Sequence, residues 1–138
     1  MFTHKPVEIT ELSTKNINRK RFYETPDGKL YPSITTVLQR RKMEGLMEWR
    51  KKGGDDVANY VARTAAARGT KVHQMCEDFL NNNFDDEVHK KNFLPYTLFG
   101  QIKPVLSEKV DNIMSQECGL YSDKYMVAGR VDCIGEYN

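Results

Sequence analysis

A histidine and a glutamate four residues apart are the first residues in this sequence that suggest chemistry. His73 and Glu77 lie in residues 67–77 (ARGTKVHQMCE), whose pattern predicts a helix that presents both side chains on one face. An imidazole and a carboxylate on one face suit a divalent cation, or they orient one another. Arg68 and Lys71 lie nearby and would suit a phosphate group close to that cation. The alternative is an exposed His–Glu pair among ordinary helix charges.

A carboxylate inside an apolar strand is the second candidate. Asp132 lies in residues 127–134 (VAGRVDCI), which predict a β-strand. Carboxylates are depleted from strands and rarely buried unless they are paired or coordinate a metal, so Asp132 is a candidate metal ligand. The alternative is strand alternation that simply points Arg130 and Asp132 outward. Glu117, at the start of the preceding predicted strand, is either a second carboxylate of the site or a surface residue.

Charge is distributed unevenly along the chain. Residues 1–54 contain 12 Lys+Arg and 6 Asp+Glu, whereas residues 55–138 contain 9 and 13, which gives net charges of +6 and −4. This asymmetry suits a polyanion-binding face beside a carboxylate metal site, with two ordinary solvated surfaces as the alternative. Trp49 beside residues 50–52 (RKK) could stack on a nucleobase, although a single tryptophan at helical spacing is more often a core residue.

The elements that must position these residues follow an α+β order. Turn chemistry in residues 25–28 (TPDG) predicts a β-hairpin over 21–32, after a loose arm over 1–20. Helical periodicity covers 33–113. Residues 114–138 then follow a strand period and would form a β-hairpin that starts a larger, incomplete sheet. We therefore predict a single domain of the α+β class over 1–138.

Four helices are predicted within the helical region. Ser33 is a plausible N-cap for the first helix, which would end near Met43. A short second helix around Trp49 would follow and break at Gly53 and Gly54. A long third helix is expected to be interrupted at Gly69. The fourth helix would extend as far as Ile113.

Composition excludes several classes of protein. The chain has 138 residues, of which 39% are hydrophobic and 29% charged, so intrinsic disorder is not expected. No apolar run approaches the roughly 20 residues that span a bilayer, and the N-terminus lacks the apolar segment of a signal peptide. The three cysteines are widely spaced and form no CxxC pair. A disulfide framework is therefore not expected, and a reducing, cytoplasmic location is the simplest interpretation.

Three segments together resemble the PD-(D/E)XK nuclease superfamily, most closely its RecB-like exonucleases of phages and of the mitochondrial genome maintenance type. Residues 31–38 (YPSITTVL) resemble the family's PS(V/I)T.(I/V)L helix start. Residues 68–77 (RGTKVHQMCE) resemble its RGT.vH...E helix, and residues 127–135 (VAGRVDCIG) resemble its vaG.vD.ig strand. Each segment is moderately specific, and their common order and spacing are more so.

The resemblance implies a metal-dependent DNA exonuclease that hydrolyses phosphodiester bonds with Mg²⁺ or Mn²⁺. It implies that His73 and Asp132 are the metal ligands and the catalytic residues, with Glu77 as a supporting acid. We add Glu117 as a second supporting carboxylate. The residues expected to contact nucleic acid are Ser33, Thr35, Arg68 and Lys71.

One part of the family pattern has no counterpart here. Family members continue into a strand carrying (I/V).D.K, which supplies a second carboxylate and the catalytic lysine, and Asp123-Lys124 has the wrong spacing to replace it. We therefore expect the chain to be inactive alone and to be completed by a second polypeptide. A truncated sequence and a catalytically inactive DNA-binding or regulatory subunit are the alternatives.

The expected partners and location follow from the same resemblance. The nucleic-acid partner would be DNA that is single-stranded or has a free end. The expected location is the cytoplasm, which would be the host's cytoplasm if a phage encodes the chain. No association with a membrane is expected.

Overall fold

The computed structural model describes the backbone of residues 1–138 and every side chain except that of Lys42. It contains four α-helices and two small antiparallel sheets, which confirms the α+β class. The elements in chain order are β1 (Ser13–Ile17), β2 (Lys20–Glu24), β3 (Leu30–Pro32), α1 (Ile34–Gly53), α2 (Asp55–Leu80), α3 (Asp86–His89), α4 (Phe93–Lys109), β4 (Val110–Ser122) and β5 (Val127–Tyr137).

The single domain expected from the sequence is built from two compact units. The first unit comprises Met1–Val7, Asp55–Gln116 and Asp132–Asn138. The second comprises Glu8–Gly54 and Glu117–Val131. Strands β4 and β5 therefore contribute residues to both units.

The second unit contains the predicted N-terminal hairpin. Strands β2 and β3 pair antiparallel, with Tyr23 opposite Tyr31. The turn between them is closed by a hydrogen bond of 2.9 Å from the Gly28 N–H to the Thr25 carbonyl oxygen. Gly28 has φ = 84°, a conformation in which glycine carries no steric penalty. The core of this unit consists of Leu12, Tyr23, Tyr31 and Ala128.

Residues 1–20 are not the loose arm expected from the sequence. Strand β1 pairs along its length with β2, from Ser13 opposite Glu24 to Ile17 opposite Lys20. All five β1 residues (STKNI) are exposed, so this strand has none of the apolar alternation by which a strand is recognised in a sequence. Its backbone hydrogen bonds, rather than buried side chains, hold it in the sheet.

Helix α1 begins as predicted but does not break near Met43. The Thr36 N–H donates to the Ser33 Oγ at 3.1 Å, which confirms Ser33 as the N-cap. The helix continues through Gly45 to Gly53, because one interior glycine costs only about 1 kcal/mol. The predicted second helix is therefore the second half of α1. Gly54, with φ = 82°, ends the helix where expected.

Helix α2 is likewise continuous through Gly69, where an interruption was expected. It packs against α4 in the first unit. Phe99 on α4 and Met75 on α2 are each only 1% exposed. Phe79 lies with its ring centroid 5.5 Å from that of Phe99 in an edge-to-face contact.

Helix α4 ends at Lys109, earlier than predicted, and Val110 already belongs to strand β4. Ile113, predicted to be helical, is 2% exposed within this strand. The Lys5 N–H donates to the Ile113 carbonyl oxygen, and the Ile113 N–H donates to the Thr3 carbonyl oxygen, both at 2.8 Å. This long-range pairing favours the strand, although the apolar spacing around Ile113 also fits a helix.

Several apolar residues expected in helical cores are exposed instead. Trp49 is 44% exposed, so the core interpretation of this residue is wrong. Val57 and Tyr60 are apolar residues of α2 at the helical spacing of a core stripe, yet they are 57% and 63% exposed. None of the helices in the described part of the chain is both long and apolar enough to cross a membrane.

Candidate functional site

His73 and Asp132 meet in the first unit. His73 is carried by α2 and Asp132 by β5, and the His73 Nδ1 lies 3.5 Å from the Asp132 Oδ1. Their side chains are 60% and 68% exposed. The structure thus brings together two residues that are 59 positions apart in the sequence.

The position of Asp132 follows from the alternation of β5. Arg130 and Asp132 lie on one face of the strand and are exposed, whereas Val131 and Cys133 on the other face are half-buried. The outward orientation weighed for Asp132 in the sequence is therefore correct, and it does not exclude a partner. Cys76, one turn after His73, is half-buried, and its pKa is raised by that burial and by the nearby Asp132 carboxylate.

The two supporting acids lie in different units. Glu77 is a half-buried residue of α2 in the first unit. Glu117 belongs to the second unit, where its Oε2 accepts from the Arg130 Nε at 2.8 Å. Glu117 has φ = 51° within β4, which is unusual for a residue other than glycine.

The four expected DNA-contacting residues are also divided between the units. Ser33 is 3% exposed, and its Oγ is engaged at the start of α1, which accounts for this serine without a nucleic-acid contact. Thr35 is exposed, and its hydroxyl lies 3.1 Å from the Ser33 Oγ. In the first unit, Arg68 is half-buried and the Lys71 Nζ donates to the Asn92 Oδ1 at 2.7 Å.

The sequence assigned no role to His89, which the structure places in a largely buried pair. The His89 Nε2 lies 2.8 Å from the Asp78 Oδ2, and the two side chains are 11% and 25% exposed. The Phe84 ring stacks on the imidazole with centroids 4.7 Å apart. These contacts hold the segment that follows α2 against that helix. The pair joins residues of two different helices, so the residue spacing within one helix could not have predicted it.

A cleft of about 500 Å³ in the first unit is lined by both aromatic and polar residues. Phe2, Phe79 and Phe84 contribute aromatic rings to its wall. The Asn82 Oδ1 already accepts from the Phe2 N–H at 2.7 Å, and the Asp111 Oδ1 accepts from the Thr3 N–H at 2.8 Å. The pKa of Asp111 is lowered, mainly because the backbone N–H groups of Thr3 and Asn112 donate hydrogen bonds to its carboxylate.

The donor set of His73 and Asp132 fits a divalent cation. An imidazole nitrogen and a carboxylate oxygen 3.5 Å apart can both reach one ion at ordinary ligand distances of about 2.0–2.2 Å. Because both side chains are largely exposed, water can complete the coordination shell. A mixed nitrogen and oxygen set suits Mn²⁺ better than Mg²⁺, which prefers oxygen ligands.

No protein-family model, curated protein or solved structure matches the chain.

Proposed function

We propose that this chain is the N-terminal part of a metal-dependent DNA exonuclease that hydrolyses phosphodiester bonds. The observation that carries the proposal is the 3.5 Å approach of the His73 Nδ1 and the Asp132 Oδ1. The resemblance to RecB-like nucleases had singled out these two residues, in separate motifs, as metal ligands. A proximity of residues 59 positions apart supports that assignment more strongly than either motif does.

In this proposal His73 and Asp132 hold Mg²⁺ or Mn²⁺, with Glu77 as the supporting acid of the same unit. The bound ion supplies Lewis-acid chemistry at the scissile phosphate. Arg68 and Lys71 lie on the same helix as His73 and provide positive charge for the DNA backbone. Thr35 presents a hydroxyl in the second unit.

The charge of the two units supports a nucleic-acid partner. The second unit contains 13 Lys+Arg and 8 Asp+Glu, for a net charge of +5, whereas the first contains 8 and 11, for a net charge of −3. A basic unit attracts a polyanion from solution and makes its binding depend on salt. We propose single-stranded DNA, or DNA with a free end, as this partner.

A second polypeptide that supplies the D-x-K strand is part of the proposal. Among the described residues, β4 is the only strand that pairs with β5, and an isolated bridge joins Ala128 of β5 to Ser33, so most of the other edge of β5 is open to a further strand. A strand bound there would lie beside the one that carries Asp132. It would bring a second carboxylate and a lysine to the same region of the sheet.

A catalytically inactive DNA-binding or regulatory subunit is the second candidate. The exposure of Trp49 favours it, because an exposed indole on a basic helix can stack on a base without any metal chemistry. The last turn of α1 also carries Arg50, Lys51 and Lys52. Cleavage separates the two candidates, because only the first requires the His73–Asp132 pair.

Metal binding tests the proposed ligands directly. We expect isothermal titration of the purified chain with Mn²⁺ to show saturable binding that His73→Asn or Asp132→Asn abolishes. His4→Asn is the matched control, since His4 is also exposed and forms no ion pair with a carboxylate among the described residues. Retention of Mn²⁺ binding by both site variants would show that the metal is held elsewhere.

DNA cleavage then tests the activity. We expect no Mn²⁺-dependent degradation of single-stranded DNA by the chain alone, and degradation after addition of a chain that carries a D-x-K strand. Asp132→Asn should abolish the restored cleavage. DNA binding with no cleavage under any of these conditions would favour the second candidate.

A further inference from the structure

The second unit contains a small polar pocket that the proposed metal site does not use. Its volume is about 240 Å³, which is ample for a phosphate group. Two arginines, two glutamates, a threonine and a tyrosine contribute to its wall: Arg21, Arg130, Glu11, Glu117, Thr14 and Tyr23.

Strand alternation explains why these side chains converge. Thr14 lies opposite Tyr23 in the β1–β2 register, and Arg21 is two positions before Tyr23, so the three share one face of the sheet. Leu12 continues this face and packs against Gly119 on β4. A Cβ added at Gly119 would lie 3.3 Å from three carbon atoms of the Leu12 side chain. The absence of a side chain at Gly119 thus allows the opposing strand to form the other wall.

The pocket contains hydrogen-bond donors that no described residue engages. Among the side chains that the structure describes, the Arg21 guanidinium has no ion-pair partner. The hydroxyls of Thr14 and Tyr23 likewise have no hydrogen-bond partner within the described residues, although Tyr23 is 5% exposed. Tyr23 is buried as a residue, but its hydroxyl oxygen is not a buried atom and is open to the pocket.

Of the two glutamates in the pocket wall, one forms an ion pair with an arginine of the pocket and the other does not. Glu117 is paired with Arg130 at 2.8 Å, so their charges compensate each other. Glu11 is exposed at the edge of the pocket. The guanidinium of Arg21 and the hydroxyls of Thr14 and Tyr23 can therefore donate hydrogen bonds to a ligand. The carboxylate of Glu11 would repel a negatively charged one.

We propose that this pocket binds a phosphate group through Arg21, Thr14 and Tyr23. A guanidinium pairs with phosphate oxygens in a two-pronged geometry, and hydroxyl donors complete the set. This inference rests on the proposed function, in which the phosphate belongs to the DNA strand. Inorganic phosphate offers the same oxygen atoms, so the test includes both sources.

The experiment uses the metal-free full chain, so that it does not depend on His73 or Asp132. Heteronuclear NMR titrations are recorded with inorganic phosphate, thymidine 5′-monophosphate and thymidine. We expect saturable shifts at Arg21 and Tyr23 with the two phosphates and none with thymidine. Tighter binding of the nucleotide than of inorganic phosphate identifies a strand phosphate, and equal binding identifies free phosphate; both results support the pocket.

Three variants establish which groups bind. Arg21→Gln should weaken phosphate binding about tenfold, because it removes a charge-assisted pair. Tyr23→Phe should weaken it less, and Glu11→Gln should tighten it by removing the opposing charge. Arg19→Gln is the matched control, since Arg19 is an exposed arginine that does not line the pocket.

Two results would overturn the proposal. One is binding of thymidine as tight as that of its monophosphate. The other is equal phosphate affinity in the wild-type chain and Arg21→Gln, provided that the variant retains the wild-type amide spectrum outside the pocket. Failure of Mn²⁺ binding at His73 would leave these measurements unaffected, so the two proposals fail separately.

Discussion

Asp123 connects the β4–β5 turn to strand β3 within the second unit. The Tyr31 hydroxyl donates to the Asp123 Oδ1 at 2.5 Å, and the Lys29 Nζ donates to the same oxygen at 3.3 Å. The Tyr31 hydrogen bond, followed by the interaction with Lys29, lowers the pKa of Asp123. Because the charged carboxylate is favoured in the folded state, this contribution to stability is present above the unfolded pKa of about 3.9. It is lost as the pH falls through the lower folded pKa.

Tyr31→Phe tests this interaction, because it removes only the hydroxyl. We expect the pKa of Asp123, followed by NMR of its carboxyl carbon, to rise towards its ordinary value. The urea midpoint of the variant should fall relative to the wild-type chain near neutral pH and approach it in acid. An unchanged pKa of Asp123 in Tyr31→Phe would contradict the assignment of the hydrogen bond.

Ser33 has a structural role that can be separated from nucleic-acid binding. Its Oγ accepts the Thr36 N–H, which would otherwise lack a partner in the first turn of α1. We expect Ser33→Ala to lower the free energy of unfolding by about 1 kcal/mol in urea denaturation. Thr35→Ala, at an exposed position that caps no N–H, should leave stability almost unchanged. Equal losses in both variants would argue against the cap.

Close backbone approach makes Gly135 of β5 sensitive to substitution. A Cβ at this position would lie 3.1 Å from the carbonyl oxygen of Asp111, a backbone atom that cannot rotate away. We expect Gly135→Ala to lower the free energy of unfolding by about 1–3 kcal/mol, as overpacking does. The measurement is chemical denaturation followed by circular dichroism.

Gly69→Ala provides the contrasting variant. A Cβ there would meet nothing within 4 Å, and the residue lies inside α2. Alanine is the better helix former, so this substitution should raise stability by up to about 1 kcal/mol. If Gly69→Ala and Gly135→Ala lower stability equally, then alanine is poorly tolerated at both positions. The contact with Asp111 would not explain the loss at Gly135.

For the complete chain, DNA affinity is expected to depend on charge and on one exposed indole. The logarithm of the affinity for a short oligothymidylate should fall linearly with the logarithm of the salt concentration. Trp49→Ala should weaken binding by about 1–3 kcal/mol, the contribution of one stacked base. Tyr137→Ala is the control, since Tyr137 is 73% exposed but belongs to the acidic first unit. Equal losses in fluorescence anisotropy titrations would exclude a specific role for Trp49.

Local signals predicted the elements whose determinants are close together in the sequence. The TPDG turn predicted the β2–β3 hairpin because proline and glycine restrict the backbone within four residues. Ser33 marked the start of α1 for the same reason, and Gly54 marked the end of what was predicted as a separate second helix. Motif spacing also selected His73 and Asp132, which the structure places 3.5 Å apart.

Features that depend on distant segments could not be predicted in this way. Strand β1 has no apolar alternation and exists because β2 supplies its hydrogen bonds. Val110 and Ile113 have apolar spacing that fits a helix, and pairing with residues 3–5 makes this segment a strand. Likewise, the exposure of Trp49 and the burial of His89 beside Asp78 depend on what packs against each residue. A backbone turn is set by nearby torsion angles, whereas strand pairing and burial are set by long-range contacts, which only the folded chain establishes.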